Sequence, residues 1–142
     1  MIVKALLSIG SNNGDRMAFI GQAVALLAHI GKVRQSQPFT SSPMGFESPN
    51  EFINIAVELS IEAPAPFTQA DALALLDKTQ AIERQISPMP HRNPDGSYRD
   101  RQIDIDIIAI PGLTMQNERL VLPHPRASER PFVTVPLAQL GY

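Results

Sequence analysis

The chain has 142 residues, of which 44% are hydrophobic, and a formal net charge of −2. This length fits one domain with a single core. A general nucleic-acid-binding domain is excluded because such domains carry a strong basic excess. The sequence has no cysteine, which excludes disulfides, thiolate metal sites and cysteine nucleophiles. We expect one cytoplasmic domain over residues 1–142, without a targeting or membrane-spanning segment.

The first part of the chain predicts a strand followed by a helix. Residues 2–9 form a mostly apolar run, and Gly10 with the Ser and Asn residues after it ends that run, as in a strand and a loop. Apolar residues then recur at helical spacing, with Asn13 or Asp15 placed to cap the first turn and Gly31 placed to end the helix. This part therefore supplies one strand and one helix.

The rest of the chain predicts further strands around a second helix. Thr68 and Asp71 form a capping-box pattern at the start of that helix. Gln80 and Glu83 lie away from the centre of its apolar face, where they are placed to face a groove. The elements expected here are strands at 32–40 and 52–61, a helix from 68, a loop at 86–100, a strand at 101–110 and a short strand at 119–122.

The order of these elements is β-α-β-β-α-β, the split βαβ arrangement. We therefore expect an α+β fold of the ferredoxin-like type, with a mainly antiparallel sheet. Both helices are expected to pack on the same face of that sheet, which leaves the other face for polar side chains.

A segment at 101–108 alternates isoleucine with aspartate. In a strand, Asp104 and Asp106 share one face while the isoleucines beside them point into the core. The two carboxylates then lie roughly 6–7 Å apart, from a rise of ~3.3 Å per residue. Mg²⁺ suits this arrangement, because it takes one or two carboxylates together with substrate phosphates. The same alternation is equally typical of a solvated strand face, so the pattern alone leaves both interpretations open.

Basic residues cluster around this segment. Seven arginines lie in residues 84–130, against six acidic residues. Guanidinium groups suit phosphate oxygens, and as a set they favour a nucleotide triphosphate site. For any single arginine, a surface ion pair is the better interpretation. The chain has no Walker pattern and its histidines lack metal-ligand spacing, which argues against a P-loop and against a histidine zinc site.

The motifs also occur in a characteristic order. They are Gly10-Ser-Asn12, Pro43-Met-Gly45, Phe52-Ile-Asn54, Gln80 with Glu83, Arg101 with Asp104-Ile-Asp106, and Arg119-Leu-Val-Leu-Pro-His124 leading to Arg130-Pro-Phe132. In this order they resemble the 6-hydroxymethyl-7,8-dihydropterin pyrophosphokinase family over nearly the whole chain. The resemblance implies transfer of pyrophosphate from ATP to 6-hydroxymethyl-7,8-dihydropterin in folate biosynthesis, with release of AMP.

The resemblance also implies the residues of the site. Arg101, Asp104 and Asp106 would be catalytic, and the two aspartates would bind two Mg²⁺ ions. The implied ATP-binding residues are Gln80, Glu83, Arg92, Tyr98, Arg101, Ile107, Arg119, His124 and Arg130. The implied pterin-binding residues are Ser41, Ser42, Met44, Phe52, Asn54, Asp104 and Phe132. Two phenylalanines would sandwich the pterin ring, and the 86–100 loop resembles a mobile lid.

Two other functions stay open at this point. One is a different phosphoryl or nucleotidyl transferase that uses the same aspartates, which would release a different product from ATP. The other is a catalytically silent module that holds pterin or nucleotide without turnover. For the pyrophosphokinase that the resemblance implies, we expect a monomer whose partners are ATP and reduced 6-hydroxymethylpterin, with no nucleic acid and no membrane.

Overall fold

The computed structural model describes residues 1–42, 50–88, 92–97 and 100–142. Within those residues the main sheet contains β1 (Ile2–Ser11), β2 (Lys32–Gln35), β3 (Phe39–Ser41), β4 (Phe52–Glu62) and β5 (Asp104–Ala109). The order across it is β2-β4-β1-β5, with β3 also paired to β4, and these pairings are antiparallel. This arrangement confirms the ferredoxin-like prediction. Two short strands, β6 (Met115–Gln116) and β7 (Val121–Leu122), pair separately.

Two long helices have the caps that their sequences predict. The helix α1 (Arg16–Leu27) is capped by Asp15, whose side chain accepts a hydrogen bond from the amide of Ala18. The helix α2 (Gln69–Ile86) begins with a complete capping box between Thr68 and Asp71. Each cap satisfies an amide that the first helical turn leaves without a partner.

The main core lies between α1, α2 and one face of the sheet. Side chains alternate across a strand, so every second residue of β1 and β4 points into this core. Fully buried members include Leu7, Ile9, Leu27, Val57, Leu59 and Ile103. Burying an aliphatic side chain of this size stabilises a fold by about 1.5–3 kcal/mol. The expected inward direction of the isoleucines around Asp104 and Asp106 is confirmed.

The opposite face of the sheet carries a helix that the sequence analysis missed. The helix α3 (Pro131–Gln139) follows a 3₁₀ turn, Ala127–Glu129. Its buried side chains form a second core with residues of β1, β4 and β5, made of Leu6, Ala56, Ile108, Val133, Leu137 and Leu140. The expectation that helices occupy one face is therefore correct for α1 and α2 and wrong for the fold as a whole.

Some predicted boundaries are wrong for identifiable reasons. The strand expected at 32–40 is interrupted at Ser36, whose hydroxyl accepts a hydrogen bond from the amide of Ala56 at 2.8 Å. The interruption separates β2 from β3. The helix α1 ends at Leu27 and not at Gly31. A Cβ at Gly31 would lie 2.3 Å from the backbone oxygen of Ser60, so this glycine permits close packing against β4.

Two later segments also differ from expectation. The strand expected at 101–110 begins at Asp104, and only 121–122 of the expected 119–122 strand is extended and paired. The helix α2 continues through Ile86, the first residue of the predicted lid. Residues 89–91 and 98–99 of that loop lie outside the described residues, and the mobility of the loop stays a prediction. In the described part of the chain, no helix combines the length and apolarity that a bilayer span needs.

Candidate active site

A cavity of about 360 Å³ opens on the α3 side of the sheet. Its floor comes from β1, β4 and β5, whose residues on this face alternate with those of the main core. The start of α3 and the turn before it form one wall. The lining consists of Ser8, Gly10, Ser41, Ser42, Phe52, Asn54, Arg92, Arg101, Asp104, Asp106, His124, Arg126, Arg130 and Phe132. The volume is in the range of small-molecule sites.

Two carboxylates lie side by side in the floor. Asp104 and Asp106 come from alternate positions of β5, and both line the cavity. Nη1 of Arg101 donates to Oδ2 of Asp104 at 2.7 Å, and both side chains are largely buried. Burial raises the pKa of Asp106, and the negative charge of Asp104 raises it further. The floor therefore holds two carboxyl groups, of which the nearest arginine contacts only Asp104 among the described contacts.

This donor set fits a magnesium ion that also contacts a substrate. In the described residues no group of three or more His, Asp or Glu side chains forms a complete metal cage. Mg²⁺ does not need one, because it commonly keeps several waters and takes one or two carboxylates with phosphate oxygens. Burial is the main cause of the raised pKa of Asp106 and the charge of Asp104 is the second cause. A divalent cation between the two carboxylates would offset the second cause.

A cationic rim faces these carboxylates. Arg92, Arg101, Arg126 and Arg130 all line the cavity. Nε of Arg130 is buried and makes no hydrogen bond with the residues that the structure describes. A buried guanidinium donor of this kind suits an anionic ligand, because an unsatisfied buried donor is costly. The rim therefore favours binding of phosphate oxygens above the two aspartates.

The histidine of the rim has a pKa below its ordinary value. Burial lowers the pKa of His124, and the nearby charge of Arg130 lowers it further. Nδ1 of His124 accepts a hydrogen bond from the amide of Arg126 at 3.2 Å. This contact places the ring proton on Nε2. The backbone amide of His124 donates to the carbonyl of Ile108 at 2.7 Å, which fixes the residue beside β5.

Two phenylalanines and a buried asparagine also line the cavity. Phe52, the first residue of β4, and Phe132, in the first turn of α3, both line it. Nδ2 of Asn54 donates to Oγ of Ser41 at 3.1 Å, and Asn54 is 4% exposed. A Cβ at Gly10 would lie 2.5 Å from Oδ1 of this asparagine. The glycine therefore leaves space for the side-chain amide of Asn54. A buried amide and two aromatic side chains in one cavity suit a flat polar heterocycle.

Comparison with known proteins identifies the family. The family described as 7,8-dihydro-6-hydroxymethylpterin-pyrophosphokinase (HPPK) matches residues 6–142. The chain belongs to this family. It is 34% identical over 139 residues to 2-amino-4-hydroxy-6-hydroxymethyldihydropteridine pyrophosphokinase of Bacillus subtilis, a match that covers 96% of this chain and 77% of the relative. The enzyme of the same name from Porphyromonas gingivalis is 37% identical over 138 residues, covering 95% of this chain and 88% of that protein.

A solved structure has the same fold. It is described as an HPPK-DHPS in complex with substrates, and it matches with a TM-score of 0.62 at 15% sequence identity. The match covers 95% of this chain and 39% of the larger chain. At this identity the likeness supports the fold of the HPPK domain, and the family assignment rests on the sequence matches.

The structure brings most predicted site residues of this HPPK chain together. The predicted residues that line the cavity are Ser41, Ser42, Phe52, Asn54, Arg92, Arg101, Asp104, Asp106, His124, Arg130 and Phe132. Ser8, Gly10 and Arg126 also line the cavity and were not predicted as site residues. The period of two along β1 places Ser8 and Gly10 on one face, and Arg126 closely follows His124, so the signal for these three was present. Met44 and Tyr98 lie outside the described residues.

Four other predicted ATP-binding residues lie outside the cavity lining. Gln80 and Arg119 contact each other, with Nη2 of the arginine 3.2 Å from Oε1 of the glutamine. Burial raises the pKa of Glu83 to about 8, and its carboxyl group contacts the backbone of β5. The side chain of Ile107 is 2% exposed and belongs to the main core. The roles of these four residues in ATP binding stay predictions.

Proposed function

We propose that this HPPK chain transfers the terminal pyrophosphoryl group of ATP to the hydroxyl of reduced 6-hydroxymethylpterin, in folate biosynthesis. The observation that carries the proposal is that one cavity is lined by two kinds of residue. Its cationic rim and the carboxylates Asp104 and Asp106 suit a metal-bound triphosphate, while Phe52, Asn54 and Phe132 suit a flat heterocycle. The family match supports the same reaction.

The reaction exchanges one phosphorus–oxygen bond for another. The hydroxyl oxygen of the pterin bonds to the β-phosphorus of ATP, and the bond from that phosphorus to the oxygen bridging to the α-phosphorus breaks. AMP leaves with the electron pair of that bond, and the hydroxyl releases its proton. Catalysis of such a transfer consists mainly of positioning and of charge stabilisation. No covalent intermediate with the protein is required.

We infer that Asp104 and Asp106 hold magnesium, with two ions as the family resemblance implies. Bound magnesium supplies charge neutralisation for the phosphates and lowers the pKa of a coordinated hydroxyl or water. Arg101 orients Asp104 through their hydrogen bond of 2.7 Å. Arg130 and His124 are placed to donate to phosphate oxygens, because both line the cavity above the carboxylates.

The proposed pterin site is the part of the cavity beside Phe52, Asn54 and Phe132. Phe52 and Phe132 supply two apolar faces for the ring, and Asn54 supplies an amide that can pair with the polar edge of the pterin. The buried position of Asn54 makes its amide a selective partner, since a ligand that leaves it unpaired incurs a desolvation cost.

We also propose that the protein acts as a monomer, as expected from the family resemblance. A cytoplasmic location is part of the same proposal, because the reaction consumes ATP. The 86–100 loop, with Arg92 in the cavity lining, is proposed to contribute to ATP binding.

The deciding experiment measures AMP release from ATP with and without reduced 6-hydroxymethylpterin and Mg²⁺. We expect AMP only when both are present, and we expect Asp104→Asn to lose most turnover while it keeps pterin binding. Glu62→Gln is the matched control, because Glu62 is an exposed carboxylate at the far end of β4. Formation of ADP would instead indicate another phosphoryl transferase. Pterin binding without any AMP would overturn the enzymatic proposal in favour of a binding module.

A further inference from the structure

A buried asparagine lies directly beyond β1, beside the start of the catalytic segment. Asn12 is 1% exposed. Its side-chain Oδ1 accepts a hydrogen bond from the backbone amide of Arg101 at 2.6 Å. The backbone amide of Asn12 donates to the carbonyl of Arg101 at 2.9 Å. Asn12 therefore fixes the backbone of Arg101 on both sides of that residue.

One carboxylate joins this asparagine to a second segment. Oδ1 of Asp100 accepts from Nδ2 of Asn12 at 2.9 Å, and Oδ2 of Asp100 accepts from Nδ2 of Asn50 at 2.6 Å. Nδ2 of Asn12 also lies 3.3 Å from the carbonyl oxygen of Asn50. We call these three residues, Asn12, Asn50 and Asp100, the clasp.

The clasp has a defined orientation. An ionised carboxylate only accepts hydrogen bonds, so Asp100 selects the amino side of the Asn12 carboxamide. The carbonyl side of that carboxamide is then directed to the amide of Arg101. Hydrogen bonds to an ionised group are shorter and stronger than those between neutral groups. Without the carboxylate of Asp100, the carboxamide of Asn12 loses the partner that selects its orientation, and the side chain of Asn50 loses its hydrogen bond to Asp100.

The clasp connects the two halves of the proposed active site. Asn50 lies two residues before Phe52 and four before Asn54, which both line the cavity. Asp100 directly precedes Arg101, whose guanidinium holds Asp104. The segment that enters the pterin side and the segment that enters the phosphate side are therefore bonded to each other through one carboxylate.

We propose that Asp100, Asn50 and Asn12 are positioning residues that act through Arg101 and couple binding of the pterin to binding of the nucleotide. The inference rests on the proposed function. None of the three touches the reacting atoms. Their effect is to hold the two binding segments in one relative arrangement, so that a ligand ordering one segment reduces the cost of ordering the other.

The test removes the carboxylate of Asp100 and measures the KM for each of the two substrates. We expect Asp100→Ala to raise the KM for ATP and the KM for pterin together, each roughly fivefold or more, the lower limit for an energetic coupling between sites. The pterin Kd is also measured with and without a non-hydrolysable ATP analogue and Mg²⁺. We expect the analogue to tighten pterin binding in the unaltered chain and to do so much less in Asp100→Ala.

A double-variant cycle tests whether the effect passes through Arg101. In an Arg101→Ala background, Asp100→Ala should cause no further loss of kcat/KM, because the two changes interrupt the same connection. Asn50→Ala is a milder second variant at an exposed position, and it should reproduce the loss of coupling if Asp100→Ala does not fold. Glu62→Ala, which removes an exposed carboxylate from the far end of β4, is the matched control.

Two results would contradict the proposed role of the clasp. One is a lower melting temperature for Asp100→Ala with both KM values and the coupling unchanged, which would mark a purely structural contact. The other is unchanged hydrogen exchange at the amide of Arg101, which should exchange faster when Asn12 loses its orientation. The exchange measurement needs no turnover and therefore tests the clasp even if the protein is inactive. Absence of AMP formation by the unaltered chain would contradict the proposed function alone.

Discussion

The carboxyl group of Glu83 accepts a hydrogen bond from the backbone amide of Ile105 at 2.9 Å. Glu83 belongs to α2, and Ile105 lies between the two aspartates of β5. The peptide that joins Asp104 to Asp106 is thus held by a helix on the far side of the sheet. The glutamate is 8% exposed, so its contact with β5 is largely protected from water.

Substitutions at Glu83 should show what its hydrogen bond to the amide of Ile105 contributes. At pH 7 a pKa of about 8 keeps the carboxyl group mostly protonated, so the charge contributes little. Glu83→Ala leaves the amide of Ile105 buried without this acceptor, and we expect a loss of about 1–3 kcal/mol in the free energy of unfolding. Glu83→Gln keeps an acceptor of the same shape and should stay much closer to the unaltered protein. Urea denaturation at pH 7 measures both variants, and equal losses for the two would contradict a stabilising role for this hydrogen bond.

Gly10→Ala should damage the pterin site without unfolding the protein. The added Cβ would lie 2.5 Å from Oδ1 of Asn54, and the side-chain amide is the part that can move. We expect weaker pterin binding by roughly tenfold, equal to the ~1.4 kcal/mol of one lost hydrogen bond, with nucleotide binding preserved. Calorimetric titration with each ligand checks this. Gly21→Ala is the control, since a Cβ there has no neighbour within 4 Å.

The aromatic pair should contribute to pterin affinity and little to ATP affinity. Phe132→Ala removes one stacking face, and we expect a loss of roughly tenfold in pterin affinity from an aromatic contact of about 0.5–1.5 kcal/mol plus its buried area. Phe132→Tyr keeps the ring and serves as the matched control. The guanidinium of Arg130 lies 5.7 Å from the centre of this ring, so the substitution could also affect ATP binding. A larger loss of ATP affinity than of pterin affinity would contradict the assignment of Phe132 to the pterin site.

Acid should weaken the attachment of α3 to the sheet through Glu58. Hydrogen bonds from Arg34 and Tyr142 lower the pKa of Glu58 from its ordinary 4.5 to about 2. Because the folded pKa is the lower one, the stabilisation is present above pH 4.5 and is lost as the pH falls toward 2. The guanidinium of Arg34 also donates to the carbonyl of Leu140 at 2.8 Å, which ties the end of α3 to β2.

Glu58→Gln should therefore reduce the free energy of unfolding at pH 7 by about 1.5–3 kcal/mol, the range for hydrogen bonds to a charged group. The difference from the unaltered protein should shrink as the pH is lowered from 5 toward 2. Urea denaturation across that pH range measures the difference. Glu118→Gln, at an exposed glutamate between β6 and β7, is the control. A difference that stays constant with pH would contradict the role of the Glu58 charge.

The sequence predicted those features that local patterns determine. Period-two alternation placed Asp104 and Asp106 on one face, and the pair Thr68 and Asp71 located the start of α2. Both depend on residues near one another in the chain. The cavity itself was predictable only through the family resemblance, because Phe52 and Phe132 come from distant segments and each alone is a common core residue.

The missed features depend on contacts between distant segments. The helix α3 begins with Pro131 and contains Pro136, and two prolines so close together favour a loop when the sequence is considered alone. Packing of its apolar side on the sheet outweighs that preference. Gly31 was interpreted as a helix end, whereas the nearby carbonyl of Ser60 explains it. The clasp was likewise not predictable, since its residues are far apart in sequence.

The outer edge of β5 has a consequence for association between chains. The amide of Ile105 is occupied by Glu83 and the carbonyl of Ile108 by the amide of His124. An open strand edge is a template for pairing with another chain, and occupied backbone groups remove that opportunity. The same two contacts that hold the strand with the aspartates in place therefore leave fewer backbone groups of β5 available for pairing with another chain.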